Sequence, residues 1–144
     1  MSSYPPSRTR RGSSSLDAAI VMPALLVFLL VIIAGARIAM AQQAVTVAAQ
    51  AAARAASLER SGPEAVRAGD VAAHASLADA VACQPDVTVT GKWDLPIGTP
   101  GTATATVTCR VKLSDLAIPG LPGEVVIVRT ADSPIDRYRA RAGG

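Results

Sequence analysis

The chain has 144 residues, which leaves room for one small domain and little more. Half of the residues are apolar but only 3% are aromatic. A core built mainly from Ala and Val buries little area per residue, so a soluble domain of this composition would be marginally stable. The formal net charge is +3, and most of it lies at the N-terminus, where Arg8, Arg10 and Arg11 precede the apolar run; from Arg37 onward, eleven Lys and Arg face ten Asp and Glu. Nucleic-acid binders carry basic residues on the folded domain, so this distribution argues against a nucleic-acid partner.

The first element in the chain is an apolar run from Ala18 to Ala36, nineteen residues without a charge. As a helix it would be about 28 Å long, close to the thickness of the hydrocarbon core of a bilayer. A buried core helix is the alternative, but no other segment is hydrophobic enough to surround it. The run therefore predicts a single-pass protein of the bacterial cytoplasmic membrane. By the positive-inside rule, the N-terminus is cytoplasmic and the segment from Ala41 to Gly144 is extracytoplasmic.

A cleaved secretory signal is the competing interpretation of this run. The sequence Ala39-Met40-Ala41 before Gln42 has the small-x-small pattern of a leader peptidase site. The apolar run is longer than a usual signal, and Arg37 interrupts the approach to the site. The helical periodicity also continues past Ala41, which favours a retained membrane helix.

The entrance to the apolar run carries an unusual pair of residues. Gly12 ends the basic leader, and Asp17 follows five residues later. A carboxylate at the centre of a bilayer costs about 2.5–3.5 kcal/mol and less near its edge, so a membrane-edge acid is a functional candidate. The alternative is local: Asp17 would interact with the helix macrodipole, worth about 0.3–1 kcal/mol, and a residue of Ser13–Ser15 would be an ordinary N-cap. Both interpretations can hold together.

This motif resembles the processing site of type IV pilin-like proteins, and residues 8–60 resemble the TadE family of tight-adherence pilus assembly proteins. The resemblance implies that a prepilin peptidase cuts between Gly12 and Ser13, which makes Asp17 the fifth mature residue. The new amine of Ser13 would then pair with Asp17 of a neighbouring subunit. Asp17 stands where the family usually has Glu, and Ser13 where mature pilins often have Phe. The implied partners are the membrane, the peptidase, other pilin-like subunits and the assembly platform.

Beyond the membrane, the sequence predicts two helices. Residues 37–58 carry small side chains at helical spacing, namely Ala41, Ala44, Ala48, Ala51, Ala52 and Ala55. This stripe fits packing against another subunit or packing on the chain's own C-terminal domain. After a break at residues 59–63, a second amphipathic helix is expected from Pro63 to about Ala82, with Val66, Val71, Leu77 and Val81 on its apolar face. On that helix His74 is interpreted as a surface residue, without a ligand partner nearby.

The C-terminal part predicts β-structure. Val87–Thr90 alternates, and so does a longer run whose inward face would comprise Ala103, Ala105, Val107, Cys109, Val111 and Leu113. Glu124–Thr130 follows a Pro/Gly turn as a third strand. The fold class is therefore α+β: a long N-terminal helix with one membrane span, a second helix and a small antiparallel sheet of about three strands.

The two cysteines, Cys83 and Cys109, fall on the side that is predicted to be extracytoplasmic. There a disulfide is favoured, and it would contribute roughly 3–4 kcal/mol to a small core. A buried free thiol at Cys109 is the alternative.

The predicted organisation is a leader (1–12), a membrane helix with its extension (13–60), an α+β domain (61–131) and a flexible tail (132–144). The sequence contains no catalytic constellation, and no cofactor, metal or small-molecule substrate is expected. The leading hypothesis is a non-enzymatic, TadE-like minor pseudopilin of a Tad-type, type IV-like pilus or secretion apparatus. The alternatives are an unprocessed membrane-anchored binding module of the cell envelope and a secreted domain that begins at Gln42.

Overall fold

The computed structural model describes residues 13–112 and 123–138, with side chains from Ala18 onward. The elements are α1 (Ser13–Leu58), α2 (Gly62–Leu77), β1 (Asp86–Gly91), β2 (Gly101–Lys112) and β3 (Glu124–Ile135). The predicted α+β class, with a long N-terminal helix and a three-stranded sheet, is confirmed. The chain divides into two compact units, Met1–Gly35 and Ala36–Gly144. The second unit thus includes the end of α1, which the sequence had grouped with the membrane helix.

The part of α1 in the second unit packs by one face into the core of that unit. Its buried apolar residues are Ala41, Val45, Ala48, Ala49, Ala52, Ala53 and Ala56, and Ser57 is buried beside them. Of the predicted small-residue stripe, Ala41, Ala48 and Ala52 are buried, whereas Ala44, Ala51 and Ala55 are only partly buried at its margin. The stripe is therefore used for packing on the chain's own domain, one of the two roles left open by the sequence.

The sheet is antiparallel throughout, in the order β1-β2-β3. Its inner face confirms the predicted alternation of β2, with Ala103, Ala105, Val107, Cys109 and Val111 all buried; Leu113 lies outside the described residues. Threonines dominate the outer face of β2. Thr106 and Thr130 are joined by a 3.0 Å hydrogen bond, and Thr104 donates to the Asp132 Oδ1 atom at 2.6 Å.

The third strand is longer than the sequence predicted. It continues to Ile135, which is buried. The sequence predicted a flexible tail from residue 132 onward, and for residues 132–135 this prediction is wrong. The Ser133 hydroxyl lies 3.0 Å from that of Ser57 on α1 and holds this end of the strand in place. Pro134 is tolerated because β3 is at the edge of the sheet.

The second helix packs by a face that overlaps only partly with the predicted one, since Leu77 is buried and Val81 packs against the core but Val66 and Val71 do not. Its buried residues are Ala65, Gly69, Ala73 and Leu77, spaced four apart, whereas Val66 and Val71 are 45% and 68% exposed. The helix also ends at Leu77, before the predicted Ala82. Small residues are required because the elements approach closely: a Cβ atom on Gly69 would lie 2.7 Å from Cγ2 of Val89 and 3.4 Å from the Ala52 carbonyl oxygen.

The buried indole ring of Trp93 contacts the end of α1. Its Nε1 atom donates a 3.3 Å hydrogen bond to the Ala56 carbonyl near the end of α1, where helix carbonyls lack helical partners. A Cβ atom on Gly91 would lie 2.7 Å from this ring, so β1 must end in a residue without a side chain. In the next turn, the Ser61 hydroxyl donates to Glu64 Oε2 at 2.9 Å, before α2 begins with Pro63 in its first turn. Trp93 therefore ties the β1–β2 connection to the end of α1.

The close packing at Gly69 can be tested with the substitution Gly69→Val. We expect it to lower the free energy of unfolding by about 1–3 kcal/mol, because the added atoms would overlap the Val89 side chain. Chemical unfolding of the full chain in detergent micelles, followed by the fluorescence of Trp93, measures the change. Ala75→Val on the exposed face of the same helix is the control and should cost less than about 0.7 kcal/mol. Equal losses in the two variants would contradict the close approach.

Candidate functional site

The first candidate feature is the apolar surface of α1 between Ala18 and Gly35. Its large apolar side chains, from Ile20 to Ile33, are 42–71% exposed. The most apolar eighteen-residue window has a mean hydropathy of 2.8, and none of it is buried. A core helix of a soluble protein would bury such a surface, so this interpretation is excluded. It is the one helix in the described part of the chain that is long and apolar enough to cross a membrane.

The predicted leader peptidase site lies inside this same helix. Residues 39–41 are helical, and α1 continues beyond them for more than four turns to Leu58. Ala41 is only 4% exposed, and Ile38 packs against the core of the second unit. A chain that began at Gln42 would lose both contacts, so the packing favours an intact helix over a secreted domain.

The predicted processing and assembly residues lie at the start of α1. Gly12 is outside the described residues. Ser13 is the first described residue of α1, and Asp17 is the fifth, one helical turn further on. Their side chains are not described, so the cut after Gly12, the capping alternative and the Asp17 contact all stay predictions.

The two cysteines form a disulfide with a Cα–Cα distance of 5.9 Å. Cys109 is fully buried on the inner face of the central strand, so the alternative of a free thiol there is wrong. Cys83 lies after α2, where its backbone N–H donates to the Val81 carbonyl at 2.9 Å. The bond joins the connection between α2 and β1 to β2, across a sequence separation of 26 residues.

The remaining polar residues of the described ranges form no metal cluster: no group of three or more His, Cys, Asp or Glu could hold an ion there. His74 is exposed, as expected. Its Nδ1 atom lies 3.0 Å from the Asp70 carbonyl oxygen and 3.5 Å from the Asp70 carboxylate, both on the same helix.

Sequence reasoning missed one polar contact that spans 87 positions of the chain. Nη2 of Arg129 donates a 3.1 Å hydrogen bond to Oε1 of Gln42, and Nη1 donates to the Val128 carbonyl at 2.9 Å. A signal was present, because Arg129 shares the period-two face of Val125 and Ile127. An arginine on the inward face of a strand requires a polar partner.

Comparison with known proteins finds a family match in the N-terminal part of the chain. The model of the family described as TadE-like protein matches residues 12–54. This segment is TadE-like. No curated protein and no solved structure matches the chain.

The TadE-like segment contains more than the apolar run. It begins at Gly12, the predicted processing residue, and ends at Arg54, within the part of α1 that packs on the sheet and α2. The match thus covers the whole apolar run together with the part of α1 that continues past it to Arg54. Together with the exposed apolar helix, this indicates membrane anchoring through α1.

Replacing both cysteines, by Cys83→Ser with Cys109→Ala, should lower the free energy of unfolding by roughly 3–4 kcal/mol, because the disulfide no longer restricts the unfolded chain. The measurement is denaturant unfolding of the full chain in micelles, with Trp93 as the probe. Reduced wild-type protein is the matched control and should show the same loss. A double variant as stable as the oxidised wild type would show that the bond does not stabilise the fold.

Proposed function

We propose that this chain is a TadE-like minor pseudopilin, a non-enzymatic component of a Tad-type pilus or secretion apparatus that a prepilin peptidase processes after Gly12. The observation that carries the proposal is the extent of the family match, which begins at Gly12 and runs through the whole exposed apolar helix. The processing motif and the membrane helix thus fall in one matched segment.

The proposed roles of the motif follow from its chemistry. Gly12 has no Cβ atom and suits an extended chain in the active site of a protease. The cut would remove the basic leader and give Ser13 a positively charged amine. This amine would pair with Asp17 of a neighbouring subunit, and the pairing would offset the cost of holding both charges at the membrane edge.

The packing of α1 determines which of its faces is available to other subunits. In the second unit its small-residue face is buried by the chain's own sheet and α2. The opposite face is exposed, with positions that alternate three and four residues apart: Met40, Gln43, Val47, Gln50 and Arg54. This spacing is that of a seam between two packed helices. We assign this seam to the contact with other pilin-like subunits.

Processing is tested by the mature N-terminus of the membrane-extracted protein after co-expression with a prepilin peptidase. Intact mass and N-terminal peptide sequencing should give a chain that begins at Ser13. Gly12→Val should leave the leader in place, because a β-branched side chain obstructs the extended chain in the protease. Gly35→Val is the control, since a Cβ atom there meets nothing within 4 Å, and it should be processed normally.

Other start sites would contradict this proposal. A wild-type chain that begins at Met1 or Ser2 would indicate an unprocessed membrane-anchored binding module. A start at Gln42 would indicate a secreted domain.

The seam on α1 is tested with Val47→Glu, which replaces an apolar side chain that is 51% exposed with a charged one. We expect at least a tenfold loss of chemical cross-links to co-expressed pilin-like subunits, because the charge would be buried at the contact. Val71→Glu on α2, at a valine that is 68% exposed, is the matched control and should keep the cross-links. Unfolding followed by Trp93 should be unchanged in both variants. Normal cross-linking of Val47→Glu would exclude this face from assembly.

A further inference from the structure

β3 forms one edge of the sheet, and the direction of its outward backbone groups follows from the position of Pro134. In an antiparallel pair, residues that direct both N–H and C=O toward the neighbouring strand alternate with residues that direct both away from it. The pairing of β3 with β2 runs without interruption over all twelve residues of β3. Proline has no N–H, and within an edge strand it takes a position where this group would face away from the sheet. The even-numbered residues, among them Val126, Val128 and Thr130, therefore direct their backbone groups to the open edge.

This edge has the composition of a strand that pairs readily with further strands. Its first half contains an uninterrupted apolar run, Val125–Val128, and the side chains of Val126 and Val128 are 48% and 47% exposed. An exposed edge of high β-propensity and low charge is a template for another strand. In the described ranges, none of the backbone hydrogen bonds outside the helices and strands reaches residues 126–130. The edge therefore needs a feature that prevents pairing.

A second copy of β3 fits this edge. In one antiparallel register of two β3 strands, Val126 of each copy lies opposite Val128 of the other, so that the two apolar runs face each other. Glu124 lies opposite Thr130 in this register, and no like charges meet. The paired residues are 124–130, so Pro134 lies outside them and does not obstruct the pairing.

The side chain of Arg129 is bonded at the middle of this edge. Its Nη1 atom donates a 2.9 Å hydrogen bond to the Val128 carbonyl, which is one of the groups that are directed outward. Its Nη2 atom donates a 3.1 Å hydrogen bond to Oε1 of Gln42 on α1. The guanidinium thus occupies an acceptor that an added strand would need, and it is tied to a helix at the same time. A strand that added here would have to break both bonds and cover the charge of the arginine.

We propose that Arg129, held by Gln42, blocks the β3 edge against the antiparallel addition of β3 from a second copy of this chain. A charged side chain that points inward from an edge strand is one of the ways in which sheets avoid pairing edge to edge. Both residues lie in the second unit, so the block is contained in that unit alone. The inference goes beyond the proposed function and requires neither processing at Gly12 nor the seam on α1.

The test compares the wild type with Arg129→Thr, as full chains in detergent micelles at several protein concentrations. Threonine retains the β-propensity of the strand and removes the charge and both hydrogen bonds of the guanidinium. Amide hydrogen exchange is measured residue by residue with NMR. In the wild type, the amides of Val126, Val128 and Thr130 should exchange quickly and those of their odd-numbered neighbours slowly. In Arg129→Thr, the three outward amides should exchange about tenfold more slowly, increasingly so at higher protein concentration.

The other variants separate the block from unrelated effects. Arg67→Thr removes an exposed arginine on α2 and should leave the exchange of β3 unchanged. Gln42→Ala keeps Arg129 but releases it from α1, and should slow the outward amides about threefold. Val126→Pro, added to Arg129→Thr, removes an outward N–H without removing a bond to β2, and should abolish the association. Unfolding followed by Trp93 shows that each variant is folded.

Three results would overturn the proposal. The first is fast exchange of the outward amides in folded Arg129→Thr, as in the wild type. The second is slow exchange of these amides in the wild type, because the edge would then be covered already. The third is an association of Arg129→Thr that Val126→Pro does not relieve, because it would use another surface. None of these results concerns the start of the mature chain or the seam, so this inference and the pseudopilin proposal fail independently.

Discussion

In the second unit, α1 and α2 can pack against the sheet only because the residues between them are small. Gly69 lies against the Ala52 carbonyl and the Val89 side chain, at a distance that would not admit a methyl group without rearrangement. The inner face of β2 meets the helices with Ala103 and Ala105. Close backbone packing brings many atoms into contact, but small side chains bury little apolar area per residue. The unit therefore depends on additional constraints. The disulfide restricts the unfolded chain, and the indole of Trp93 fixes the β1–β2 connection to the end of α1.

The same constraint determines how α1 divides its surface. Between Ala41 and Ala56 the small face is occupied by the chain's own domain, and the exposed seam on the other side mixes Met40 and Val47 with glutamines and an arginine. A mixed seam suits a helix that is exposed to water before it meets a partner, because an entirely apolar face would associate non-specifically. In the apolar run, by contrast, the side chains are apolar on every side of the helix, which suits a helix surrounded by lipid.

Much of the fold was predictable because period and length are strong signals. The inner face of β2 was identified correctly wherever the structure describes it, because five apolar residues at every second position define a single face of the strand. Helix α2 was harder. Leu77 of its predicted apolar face is buried, but Val66 and Val71 are exposed. Where α2 comes closest to α1 and β1, only residues as small as Ala65 and Gly69 fit, and hydropathy does not encode the distance between elements. The end of β3 was missed because Pro134 and Asp132 break the apolar alternation. The link between Arg129 and Gln42 joins residues 87 positions apart, and only the misplaced charge on an inward face pointed to it.

The TadE-like match ends inside the folded second unit. It stops at Arg54, after six of the seven α1 residues that are buried in the core of the second unit. The matched segment is therefore more than an apolar anchor, because it also supplies one wall of a folded domain. In this chain the residues that follow the segment must offer a surface with side chains small enough to receive an Ala-rich helix face. Here that surface is the inner side of β2 together with Gly69 on α2. The anchor thus constrains the fold of the residues that follow it, even though residues 55–144 lie outside the family match.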